Sequence, residues 1–135
     1  MIVYDATNAI VGRLAAATAK AALQGEETAI VNAGKAVLSG DTDMTISKYY
    51  RRRLQQNKGD PDKSPKWPRR PDLMLKRIIR GMLPKKSSRG KQALGRVRAY
   101  IGTPKEYEGK AVPFPANASQ LRCASISLED LCRQI

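Results

Sequence analysis

Residues Gly81 to Lys91, GMLPKKSSRGK, concentrate groups that hold phosphate: a glycine at one end and near the other, the hydroxyls of Ser87 and Ser88, and the cations Lys85, Lys86, Arg89 and Lys91. A guanidinium forks onto two phosphate oxygens, an ammonium acts as a point charge, and a serine hydroxyl donates a hydrogen bond. Such a set serves either a mononucleotide in a pocket or the backbone of a nucleic acid. A nucleotide-binding loop needs G-x-x-x-x-G-K-[ST] after a strand, so that backbone amides wrap the phosphates and the last hydroxyl holds magnesium. The stretch departs from this twice. Between Gly81 and Gly90-Lys91 the gap is too long and Gln92 stands where Ser or Thr belongs. Gly90 and Gly95 have the glycine spacing, but Arg96-Val97 replaces Lys-[ST]. The dinucleotide fingerprint G-x-G-x-x-G is absent as well. The set therefore reads as a backbone-binding surface, where each contact releases condensed counterions.

Other chemistries have few residues to work with. The chain contains no histidine, which removes the commonest general base and the commonest metal ligand. Cys123 and Cys132 lack metal-type spacing and read as two reduced thiols of a cytosolic protein. Nothing calls for a metal, a cofactor or a small-molecule substrate. The N-terminus has no basic lead followed by an apolar run, and no window approaches a membrane span, so a soluble, unexported protein is expected.

Charge identifies the partner class. The net charge is +13 over 135 residues, and a balance this basic calls for a polyanion. Its distribution is more informative still. From Lys48 to Arg98 eighteen Lys and Arg face only Asp60, Asp62 and Asp72, a net +15; elsewhere seven cations face nine acids, a net −2. One part of a single domain is thus nearly neutral, and segment 48–98 is a cationic surface. Solvated faces usually mix signs.

The elements that position these groups follow from periodicity. Ile2 to Tyr4 reads as a strand, Asp5 to Asn8 as turn and cap residues, and Gly12 to Leu23 as an alanine-rich helix suited to close packing on a sheet. Thr28 to Val31 is a second strand, and Lys35 to Leu38 offers a third, short one. Strand, helix, strand at this spacing favours a parallel pair. Asp41 or Thr42 caps a helix through about Gln55, with Ile46, Tyr49, Tyr50 and Leu54 inward and Lys48, Arg51, Arg52 and Arg53 outward. Residues 57–71 carry Pro61, Pro65, Pro68 and Pro71 and read as an extended basic arm or loop. Within it Trp67, between Lys66 and Arg69-Arg70, either anchors into the protein's own core or stacks on a base or sugar. Asp72 is expected to cap a helix from Leu73 to Leu83, with Met74, Leu75, Ile78, Ile79, Met82 and Leu83 on one side and Lys76, Arg77 and Arg80 on the other. Pro84 stops it. A short helix from Arg89 to Leu94 precedes a strand, Val97 to Ile101, that turns Arg98 and Tyr100 away from Val97. Beyond Pro104 the chain reads as irregular until Ser127, whose spacing to Asp130 resembles a capping box opening a terminal helix.

The blocks DATNAIVGRLA, IVNAGKAVLSG and RIIRGMLPKKSSRGKQALGRVRAYIGTP resemble the universal large-subunit ribosomal protein thirteen family, in its archaeal branch, over essentially the entire chain. GMLP followed at fixed distance by a V-x-x-Y-x-G strand is the specific part. The resemblance implies a three-layer α/β/α domain, residues 1–135, around a mainly parallel four-stranded sheet. It implies a non-enzymatic protein of the cytoplasmic ribosome, with large-subunit ribosomal RNA and neighbouring large-subunit proteins as partners and an early role in subunit assembly. It marks Gly12-Arg13, the Gly81 to Lys91 loop and Arg96 as motif positions; the arginine cluster and the arm are assigned from charge. Two alternatives stand beside this one: a nucleotide-dependent transferase using the 81–91 loop, and a free DNA-binding basic protein.

Overall fold

In the computed structural model, which describes residues 1–135, the chain runs β1 (Ile2–Asp5), α1 (Val11–Leu23), β2 (Thr28–Val31), β3 (Val37–Ser39), α2 (Thr42–Leu54), α3 (Pro71–Met82), α4 (Ser88–Gly95), β4 (Val97–Ala99), β5 (Val112–Pro113), β6 (Ser125–Ser127) and α5 (Leu128–Gln134). Four strands form one sheet in the order β4-β2-β1-β5, and every pairing in it is parallel. Ile2 lies opposite Thr28, Thr28 opposite Val97, and Tyr4 opposite Val112. The mixed α/β architecture around a parallel four-stranded sheet is the one expected.

Alternation along the strands decides what each face holds. Ile30 and Val97 join the main core with Leu14 of α1 and Met74, Leu75 and Ile79 of α3, all of them essentially inaccessible to water. Each such side chain contributes about 1.5–3 kcal/mol by leaving water. The small residues Ala15, Ala19 and Ala22 are buried along α1, and its one buried hydroxyl, on Thr18, donates to the Leu14 carbonyl at 2.8 Å. On the opposite face Val3, Ala29 and Val31 pack under Tyr107, which sits on a single 3-10 turn, Lys105–Tyr107; the layer there is thin.

Several local expectations are corrected. Asp5 to Asn8 do not cap α1, which follows Ile10 without a side-chain cap. The Asp5 carboxylate instead accepts from the Thr7 amide and hydroxyl and from the Asn32 side-chain amide at 3.0 Å, tying the end of β1 to the end of β2. The short strand expected over Lys35 to Leu38 runs instead from Val37 to Ser39, after a 3-10 turn at Ala33–Lys35, and pairs antiparallel with β6. The stretch beyond Pro104, expected to be irregular, supplies β5 and β6, because both strands are defined by distant partners and by no pattern of their own. Asp41 caps α2, but Tyr50 and Leu54 face water, and Tyr49 is the helix's only buried residue. Pro71 takes the first position of α3, whose missing N–H costs nothing there, so Asp72 sits inside the first turn and the cap position falls to Arg70. Ile78 is only half-buried, Met82 is exposed, and β4 ends at Ala99 with Ile101 exposed. At the C-terminus Ser127 caps α5, its hydroxyl accepting from the Asp130 amide, but only half of the expected box forms: the Asp130 carboxylate accepts from the Ser127 hydroxyl at 2.6 Å rather than from the Ser127 amide.

Open parallel sheets usually bind ligands at the carboxyl ends of their strands, where the strand order reverses. Here that point lies between β1 and β5, and the chain itself fills it. The Phe114 amide donates to Asp5, the Ile10 amide to Ala116, and the Ala118 amide to Asn8, while Ala9 and Asn117 form a bridge.

Candidate nucleic-acid interface

Helix α3 is the spine of the basic segment. Its apolar side is held in the core, which leaves Lys76 and Arg77 half-exposed and Arg80 in water. Leu83 is extended, as a residue before proline must be, and Pro84 ends the helix. The chain then hooks back into α4. Ser87 caps that helix by accepting from the Gly90 amide at 3.3 Å. Gly90 is pressed so closely under the Pro84 carbonyl that a β-carbon there would overlap it. The closed hook leaves Lys85, Lys86, Ser87, Ser88, Arg89 and Lys91 exposed.

The proline-rich segment is not a free arm. The Asn57 amide donates to the Ser64 hydroxyl at 2.8 Å, across a 3-10 turn at Pro61–Lys63. Trp67 then meets Tyr49 of α2 edge-on, ring centres 5.7 Å apart. The guanidinium of Arg77 lies 4.1 Å from the centre of the Trp67 ring and that of Arg52 lies 5.0 Å from it. Such cation–π pairs contribute about 0.5–2 kcal/mol each. Arg77 also donates to the Lys66 carbonyl. The Trp67 ring packs against the core, as the anchor reading expects, and its remaining surface lines two open clefts. Burial lowers the Arg77 pKa from its usual value, and the charges of Arg80 and Arg52 lower it further. Burial likewise raises the Tyr49 pKa, against the pull of Arg52. These cations therefore crowd one another without a counter-ion.

Only Lys63, with Asp60 at 2.7 Å, and Arg70, with Asp72 at 2.9 Å, reach a carboxylate within segment 48–98. Several of the remaining cations have internal tasks. Arg96 donates to the Ala22 carbonyl at 3.2 Å and Arg89 to that of Leu23 at 3.5 Å, so both serve the carbonyl end of α1, where cations are favoured. One nitrogen of Arg53 is buried with no partner. Lys48, Arg51, Lys66 and Arg69 are exposed, as is Arg13 on α1. Arg98 stands apart: in register with Ala29, it lies on the thin side of the sheet, where a hydrogen bond to Tyr100 and the nearby Tyr107 and Glu27 raise its pKa.

Three clefts open around α3. One of about 580 Å³ lies between the end of α2 and the arm and includes Arg53, Lys58, Lys66 and Trp67. A second, of about 400 Å³, is lined by Trp67, Pro68, Leu73 and Leu94 together with Lys66, Lys76, Arg77 and Arg80. The third, about 200 Å³, lies in the hook and includes Arg80, Lys85, Lys91 and Leu94. Sequence reasoning missed Leu73 and Leu94 as surface residues of this region. Leu73 falls three and four places before Lys76 and Arg77, the spacing that puts an exposed leucine beside cations on a helix.

Residues 1–106 match the family model described as Ribosomal protein L13. Three curated relatives are each called large ribosomal subunit protein uL13: the chain is 43% identical over 138 aligned positions to that of Methanococcoides burtonii, covering 100% of this chain and 97% of the relative. It is 49% identical to that of Methanopyrus kandleri over 78% of this chain and 65% of the relative. The Aeropyrum pernix protein is 43% identical over 99% of this chain and 88% of its own length.

Proposed function

The chain belongs to the ribosomal protein L13 family, whose members are structural rather than catalytic, and from that premise we propose that it is a constituent of the large subunit of the cytoplasmic ribosome that binds large-subunit ribosomal RNA. The observation that carries this reading is the basic face itself: within segment 48–98 only two cations reach a carboxylate. A face held this way by a folded core neutralises phosphates from several RNA segments at once, favouring early binding during subunit assembly. Neighbouring large-subunit proteins are its other partners. Phosphate contacts of this kind position the protein on the shape of its RNA.

Against a nucleotide-dependent transferase stand the two broken phosphate motifs and the crevice between β1 and β5 that the chain's own backbone fills. A free DNA-binding role has no helix-turn-helix or zinc module to support it.

The test is binding of the purified protein to a large-subunit rRNA fragment over a salt series. Log affinity should fall linearly with log salt, by about 0.7 to 0.9 per neutralised phosphate. An affinity indifferent to salt overturns the proposal.

A further inference from the structure

The three clefts adjoin one another. Lys66 and Trp67 line both the arm cleft and the middle cleft, and Arg80 and Leu94 line both the middle cleft and the hook cleft. They form a row of adjoining clefts, a trough with shared walls, from the end of α2, past α3, to the 84–91 hook. No carboxylate lines any of the three. Elsewhere on the surface clefts do contain acids: Asp41 in the one beside Met44, and Glu129 with Asp130 in the one beside Lys35.

We propose that this trough holds an unpaired segment of RNA, with one extruded base against the apolar side chains of the middle cleft and its flanking phosphates on the cations at either end. The inference rests on the RNA-binding reading above and deepens it, adding a strand state to a backbone contact.

Three observations favour this occupant. A paired backbone needs cations alone, yet the middle cleft exposes Leu73, 47% accessible, among four cations. Apolar side chains and cations lining one cleft together match a nucleotide, whose flat faces are apolar and whose linkages are anionic. The guanidinium of Arg77, already fixed against Trp67, is a planar group on which a base stacks. At the arm end, Gln55, Gln56 and Asn57 bring side-chain amides that pair with base edges, beside the unpartnered nitrogen of Arg53.

Trp67 is the chain's only tryptophan, so its emission reports directly on the trough. The probes are a short single-stranded oligouridylate and a blunt RNA duplex of the same length, titrated into the full-length protein, with a polyglutamate peptide as a third arm. The oligouridylate should change Trp67 emission saturably, and the duplex and the peptide should not. Leu73→Asp, at an exposed position in the first turn of α3 where an acid is tolerated, should weaken oligouridylate binding about tenfold, the loss of one stacked base with added repulsion. Binding of the duplex should change far less. Equal responses to duplex and single strand, a response to polyglutamate matching that to RNA, or a Leu73→Asp variant that binds oligouridylate as the parent does each overturn the trough. If salt-sensitive binding to the rRNA fragment persists in those cases, the wider reading survives. If the fragment is not bound either, both fall.

Discussion

The Pro84 carbonyl lies directly over Gly90, with no room between them for a β-carbon. Two residues six apart in sequence thereby fold the loop between α3 and α4 into a hook that projects Lys85 and Lys86. Gly90→Ala forces a side-chain atom into a backbone oxygen that has little freedom to retreat. The expected loss is about 1–3 kcal/mol of stability, read by urea denaturation, with weaker rRNA binding as the hook opens. An unchanged unfolding midpoint would show that the hook is not closed in this way.

Arg96 and the hook lysines look equivalent in a charge count and are not. Arg96 reaches back to the Ala22 carbonyl, so Arg96→Ala should cost about 1 kcal/mol of stability. Lys85→Ala, Lys86→Ala and Lys91→Ala should leave the unfolding midpoint in place. Each that loses a phosphate contact should instead make the salt dependence of rRNA binding shallower by about one. Calorimetry on the four variants, paired with salt titrations, separates the two roles.

Asp5 should make the fold acid-sensitive. Burial alone would raise its pKa, but the hydrogen bonds from Asn32 and Thr7 and the charge of Lys35 outweigh it, and the net shift is downward. A lowered folded-state pKa means stability that is fully present above the unfolded value of about 4 and lost as pH falls through the folded value. Asp5→Asn should therefore be less stable than the parent at neutral pH, with the gap closing in acid. Denaturation of both proteins across that range checks it; a gap independent of pH would remove Asp5 as the cause.

The two thiols should differ sharply. Cys123 is exposed and Cys132 is buried, with burial and the nearby Asp72 pushing the Cys132 pKa up to about 11. Since the thiolate is the reactive form, one equivalent of a disulfide reagent should be consumed in the native protein near pH 8 and two after denaturation. Rapid reaction of both thiols in the native state would contradict the packing of α5.

Elements written in local pattern were legible before the structure. β1, β2 and α3 carry their apolar spacing in their own residues, and Pro84 and Ser127 punctuate the chain where it turns, whereas the cap at Ser87 went unread. What stayed hidden depends on distant partners. Val112-Pro113 is a strand only because Tyr4 and Asp5 lie beside it, and Ser125 to Ser127 only because β3 does. Tyr50 and Leu54 obey a helical wheel yet face water, because little packs against α2 beyond Tyr49. In the basic segment the charge was legible and the partners were not. Arg77 donates to a carbonyl eleven residues back, Arg89 and Arg96 to carbonyls 66 and 74 residues away, and backbone oxygens leave no signature in a sequence.

The backbone stitches from residues 114–118 to the β1–α1 turn carry a mechanical meaning. Many parallel-sheet proteins work by flexing about the gap between their halves, gripping a ligand and letting go. This one has that gap laced shut, and so has no hinge there to swing on. That end of the sheet is joined before any partner arrives, and contact there is made with a closed edge.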